Sequence, residues 1–135
     1  MGIGKVWLVT AAVVGAGILG CAPCDGQLDC LEKGEKVEAE QGRSAAVPLY
    51  LRSCTTGDWD AEAGMLACRK YSWAVRSPSG TSGLSLDFKI ADRTAWKAVS
   101  ERLRSACLKR KPEACEAALG HAAAERIAAR NEPDG

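Results

Sequence analysis

The sequence predicts a small, mainly α-helical domain built of helical hairpins and stapled by disulfides. Three observations predict it. The chain is charged (26%) and poor in aromatics (5%), and its alanine-rich stretches suit packed helices better than strands. Apolar residues recur at three- and four-residue steps, most clearly between Asp92 and Cys107. Seven cysteines are present, six of them beyond residue 21, behind an N-terminal leader that predicts export. In an oxidising compartment a small domain with that many cysteines reads as a disulfide framework, for which six cysteines allow 15 connectivities.

The leader comes first. Lys5 precedes an uninterrupted apolar or small run from Val6 to Gly20, shorter than the roughly 18 residues a spanning helix needs. It reads as a secretory signal over residues 1–20. Its end, Ile18-Leu19-Gly20-Cys21, resembles the lipobox of bacterial lipoproteins: an aliphatic residue at minus three, a small one at minus one, then cysteine. Leu19 at minus two departs slightly from the usual Ala or Ser. The resemblance implies cleavage before Cys21, a diacylglyceryl group on its sulfur and an acyl chain on its new amino group, and so a palmitate-type membrane anchor. Each buried methylene contributes about 0.8 kcal/mol, so three chains hold a protein on a bilayer essentially permanently. Ala22, rather than Asp, favours the outer membrane, facing the periplasm or the surface, if sorting follows the enteric pattern.

Residues 21–47 are expected to be the lipidated N-terminus and a tether. Leu28, Leu31 and Val37 are the main apolar marks in Leu28–Gly42, a run rich in Glu and Lys. Any helix there is expected to be short, interrupted at Gly34 and mostly solvated. The helical domain is expected over 48–131, opening at Pro48 in a first helical turn. A turn at Thr55-Thr56-Gly57 follows. Asp58 is expected to cap the next helix, with Asp60 and Glu62 in its first turn. Ala61, Met65, Cys68 and Ser72, beside Gly64, Ala67, Tyr71 and Ala74, give that helix a face of small residues suited to close approach.

Two readings fit residues 71–90. Tyr71–Arg76 and Leu84–Ile90 both alternate apolar and polar residues around a Ser77–Gly83 loop, which fits a β-hairpin. The same residues also fit a helix running to about Arg76 followed by an extended connection. Asp92 then caps a helix whose stripe is Trp96, Val99, Leu103 and Ala106/Cys107. After the basic turn Lys109-Arg110-Lys111, Pro112 opens a last helix with an expected stripe of Cys115, Leu119, Ala123 and Ile127. Residues 132–135 are expected to fray.

Two stretches resemble the Sel-type helical repeats, relatives of tetratricopeptide repeats, in their cysteine-rich exported members. Gly57-Asp58 followed by Ala61–Tyr71 is similar to the G-D-x-E-A…Y start of a repeat, with Trp59-Asp60 inserted. Ala106-Cys107 through Ala114-Cys115 is similar to the A-C-x7-C turn whose cysteines bridge paired helices. The inter-repeat loop is replaced by Ser77–Gly83, and no full period is visible. The resemblance implies a helical-repeat-like fold and a Cys107–Cys115 bridge, which the tight turn between a helix end and the next helix start also favours. Cys54 with Cys68 is the analogous pair, and Cys24 with Cys30 closes a small loop.

Chemistry is sparse. The signal carries away Lys5, leaving 17 Lys+Arg against 17 Asp+Glu, so nothing suggests a nucleic-acid partner. His121 is the only histidine, which excludes multi-histidine metal sites; it is expected to face solvent or the core edge. Gly80-Thr81-Ser82-Gly83 has Leu84 where a nucleophile elbow needs glycine, and it lacks the Gly-Lys-Ser/Thr of a phosphate loop. Of Trp59, Trp73 and Trp96, all are expected in the core, with Trp59 and Trp73 the ones able to line a groove. No catalytic residue, metal or cofactor is expected. The expected function is a membrane-anchored envelope module with a protein partner. The alternatives are a small hydrolase-like envelope enzyme around Asp58–Glu62, or a structural spacer.

Overall fold

The computed structural model describes residues 24–58, 61–78 and 85–132. Five helices follow one another there: α1 (Gly26–Gln41), α2 (Arg43–Thr55), α3 (Glu62–Arg76), α4 (Arg93–Leu108) and α5 (Pro112–Asn131), with no strand among the described residues. Helix α1 folds back on α2, α2 on α3 and α4 on α5, while α3 touches both α4 and α5. The small disulfide-stapled helical domain is therefore what the chain forms. No helix among the described residues is long and apolar enough to cross a membrane.

The main core gathers one face of every helix: Leu31 of α1, Tyr50 of α2, Met65 and Tyr71 of α3, Val99 and Leu103 of α4, and Ala114 of α5. Each large apolar side chain removed from water in this way contributes roughly 1.5–3 kcal/mol. The expected small face of α3 is its buried face: Gly64, Met65, Ala67, Cys68, Tyr71, Ser72 and Ala74. Helix α4 likewise buries Trp96, Val99, Leu103 and Ala106, and the Asp92 carboxylate caps it by accepting from Ala95 N at 3.0 Å.

The stretch expected as a tether belongs to the packed domain. Helix α1 runs unbroken through Gly34, and Cys24, Cys30, Leu31, Gly34 and Ala46 are buried. Gly34 is the reason α1 and α2 can close: a Cβ there would stand 2.7 Å from Tyr50 Cε1, so the tyrosine ring lies on bare backbone. The helix pays for this glycine with weaker propensity, and the fully buried ring it admits outweighs that cost. The Tyr50 hydroxyl donates to Glu38, and Lys70, itself paired with Glu35 at 3.6 Å, lies 5.7 Å from the Tyr50 ring.

Helix α2 opens at Arg43 rather than Pro48, leaving Pro48 inside the helix on an exposed side. Gly42, at φ +95°, supplies the bend between α1 and α2. Asp58 is not the cap of α3. Its backbone carbonyl accepts from Ala61 N and from Gln27 Nε2, the latter at 2.9 Å, and the N-cap position is Ala61.

The hairpin over 71–90 is not formed. Residues 71–76 complete α3, which ends where Ser77 N bonds to Trp73 O at 2.8 Å. Burial decides between the two periods: Tyr71, Ser72 and Ala74 are buried while Trp73 is exposed, a pattern a helix packed on two sides satisfies. The connection 85–91 is irregular. Its carbonyls at Leu86 and Phe88 accept from Asn131 Nδ2 at 2.8 and 3.0 Å, so a side chain of α5 supplies donors a partner strand would have given. Phe88 and Ile90 form a second small core with Trp96, Ala124 and Ala128.

The last helix buries a different stripe from the expected one. Ala114, Ala117, His121, Ala124 and Ala128 face inward, and Leu119 is 72% exposed. An alanine-rich helix carries little amphipathic signal, so the closeness of α3 and α4 selects its smallest face. Asn131 and Glu132 are not frayed, since Asn131 holds the connection and Glu132 pairs with Arg93. Residues 133–135 lie outside the described residues.

Candidate functional site

The three cysteine pairs lie at disulfide distance: Cys24–Cys30, Cys54–Cys68 and Cys107–Cys115, with Cα separations of 4.9, 4.7 and 4.5 Å. The last spans the α4–α5 turn. There Arg110 adopts φ +66°, Arg110 N bonds to Cys107 O at 2.8 Å and Lys111 N to Ala106 O at 3.3 Å. This is the Schellman closure of a helix, with arginine where glycine is usual. Cys21, Trp59, Asp60 and Gly80–Gly83 lie outside the described residues.

Trp73 and Trp96 part company. Trp96 is buried, and its indole N–H donates to Glu125 at 3.0 Å. Trp73 is 49% exposed, contrary to a core role, and Arg43 stacks over its ring at 3.7 Å while donating to Ser77 O at 3.1 Å. Beside Trp73, between α3 and α5, runs a cleft of about 600 Å³. Leu66, Trp73, Ala117 and Gly120 supply its apolar lining; Arg69, Lys70 and Arg76 lie on the α3 side, and Glu113 and Glu116 on the α5 side. Lys70 is engaged with Glu35, whereas Arg69, Arg76, Glu113 and Glu116 form no ion pair among the described residues. A second depression, of about 580 Å³, borders Trp96 and Arg93. There Arg93 already holds Glu132 and Trp96 already holds Glu125, so the α3–α5 cleft is the better candidate.

Behind that cleft lies a buried polar chain that the sequence does not announce. Arg76 Nε donates to Ser72 Oγ at 3.1 Å, and Ser72 Oγ meets His121 Nδ1 at 2.7 Å. His121 Nε2 lies 3.2 Å from Trp96 O. A carbonyl only accepts, so Nε2 carries the proton and Nδ1 accepts from the serine hydroxyl. His121 stacks on Trp96 with ring centroids 3.4 Å apart. It is 1% exposed, not solvent-facing or at the core edge as its alanine-rich surroundings suggest. Burial, with the Arg76 charge adding to it, lowers its pKa from 6.5 to about 4, against the opposing hydrogen bond to Trp96 and the charge of Glu125. Ser72 is fully buried too, so this serine–histidine pair meets no substrate and acts as an internal brace.

Asp58 and Glu62 are both exposed at the start of α3, and Asp58 is engaged through its backbone carbonyl. The residues that sequence reasoning missed are Arg43, Arg76 and Gly120. Only Arg76 had a signal, the spacing Arg69, Trp73, Arg76, which shares one helical face once 71–76 is read as helix; Arg43 and Gly120 come from other helices and had none. Comparison with protein-family models, with curated proteins and with solved structures finds no match to this chain.

Proposed function

We propose that the chain is an exported bacterial lipoprotein, anchored in the outer membrane through acylated Cys21, whose helical domain is a protein-interaction module. Its recognition surface is the α3–α5 cleft. The observation that carries the module reading is Trp73: a large aromatic side chain half exposed at a cleft and held in one orientation by Arg43. Preset aromatic and arginine side chains of this kind are the usual anchors of interfaces. Export is supported by all six cysteines beyond Cys21 lying in close pairs, the state an oxidising compartment maintains.

The anchor and the domain are close. Cys21 precedes the Cys24–Cys30 pair by three residues, a span of at most about 11 Å. The module therefore sits against the bilayer surface and meets partners there.

Fractionation tests the anchoring. In a bacterial host, the wild-type chain is expected in the membrane fraction and Cys21→Ser in the soluble fraction or held as unprocessed precursor; a processed Cys21→Ser chain remaining membrane-bound contradicts it. For the module, in-cell cross-linking is expected to give a defined adduct that Trp73→Ala weakens by about tenfold or more. An adduct indifferent to Trp73 contradicts the assignment of the cleft.

A further inference from the structure

The Arg76 side chain is held at its Nε edge by a hydrogen bond and lines the cleft. Its Nε–H is used by Ser72 Oγ, which is in turn held by His121, so the guanidinium plane has a set orientation. Its terminal nitrogens lie against Gly120, where the missing side chain makes the room: a Cβ at residue 120 would stand 2.5 Å from Nη1 and 3.1 Å from Nη2. No carboxylate among the described residues pairs with this group. Its surroundings already work against its charge, since burial lowers its pKa. A cation partly withdrawn from water without a counter-charge favours the arrival of an anion.

We infer that the Arg76 end of the cleft is a binding subsite for an organic monocarboxylate with an apolar body. The Nη1 and Nη2 edge receives the two carboxylate oxygens in parallel hydrogen bonds, and the apolar body lies along Trp73. A carboxylate suits this geometry better than a phosphate for two reasons. One guanidinium presents a planar fork that matches a planar carboxylate. Glu113 and Glu116 line the same cleft and repel a dianion more than a monoanion. The inference rests on the cleft being the recognition surface and adds the chemistry it selects; the carboxylate comes either from a free small acid or from a peptide end.

The test is a titration of the detergent-solubilised full chain with N-acetylphenylalanine, followed by the Trp73 and Arg76 side-chain nitrogen resonances. A saturable shift of both is expected, with N-acetylphenylalaninamide and phenyl phosphate weaker by about tenfold or more. Two variants probe the fork. Arg76→Lys keeps the charge but loses the planar edge. Gly120→Ala keeps every charged group, favours the helix and pushes the guanidinium aside. Each is expected to lower affinity about tenfold, with unchanged near-UV circular dichroism showing that the fold survives. An acetylated pentapeptide ending in phenylalanine with a free carboxylate separates the sources: tighter binding than the single residue indicates a peptide end, and equal binding a small acid. Amide or phenyl phosphate binding as well as the acid, or both variants binding normally, overturns the subsite. If the Trp73-dependent adduct persists in that case, only the carboxylate assignment is lost.

Discussion

Replacing Cys54 and Cys68 together by alanine is expected to destabilise the domain by about 3 kcal/mol. The pair joins the end of α2 to the middle of α3, both cysteines are fully buried, and the closed segment includes the α2–α3 turn. Part of the loss is the unfolded chain regaining conformational freedom, and part is two small cavities among Tyr50, Met65 and Tyr71. For a domain of this size the change is a large fraction of total stability. Urea unfolding measures it, through a lower midpoint together with a steeper slope as the unfolded chain loses its cross-link and expands. The Cys24–Cys30 pair closes a six-residue separation, so its removal is expected to cost less. Equal costs for the two pairs would argue that strain, not loop closure and packing, sets their contribution.

The second large effect is acid sensitivity centred on His121. In the folded chain its pKa lies at about 4, against an ordinary value of 6.5, so the folded state binds fewer protons than the unfolded state between those values. Stability from this group is full above pH 6.5, falls as pH drops from there toward 4, and levels off below. The loss across that window is about 3 kcal/mol. Protonation would give Nδ1 a proton facing Ser72, whose oxygen already accepts from Arg76. Arg76 opposes the added charge and Glu125 favours it. Urea midpoints across this pH range are expected to fall steeply in the wild type. His121→Gln, which keeps polar atoms but takes no proton, is expected to flatten the curve between pH 6.5 and 5, where ordinary carboxylates contribute little. An unaltered slope in that variant would contradict the role assigned to His121.

Much of the fold was legible because local signals and packing agree. The Asp92 cap, the Trp96–Val99–Leu103 stripe and the small face of α3 all act within one helix, so periodicity reveals them. The failures share a different cause. Gly34 looks like a helix breaker until the Tyr50 ring from α2 is laid against it, and an isolated α1 has little apolar surface of its own. Leu119 looks like core until the close approach of α3 turns the alanine face of α5 inward. Residues 71–76 satisfy the strand period and the helix period alike, and only the burial of both Ser72 and Tyr71 separates them.

The cleft was less legible than the fold. Trp73 was a recognised candidate, but its partner Arg43 lies 30 residues away in sequence. The space that frees Arg76 comes from the absence of a side chain at Gly120 on another helix. Such complementarity between an arginine and a glycine leaves no periodic trace. The same holds for His121, whose two partners, Ser72 and Trp96, come from α3 and α4.

Export, anchoring and the disulfide-stapled fold meet in the leader ending at Cys21, and intact-mass spectrometry of the unreduced protein extracted from membranes tests that connection most directly. The expected mass is that of a chain beginning at Cys21, carrying a thioether-linked diacylglycerol and an amide-linked acyl chain, and lacking the six hydrogens removed by three disulfides. A mature chain with an unmodified Cys21, or one whose remaining cysteines all react with a thiol reagent before reduction, would contradict it.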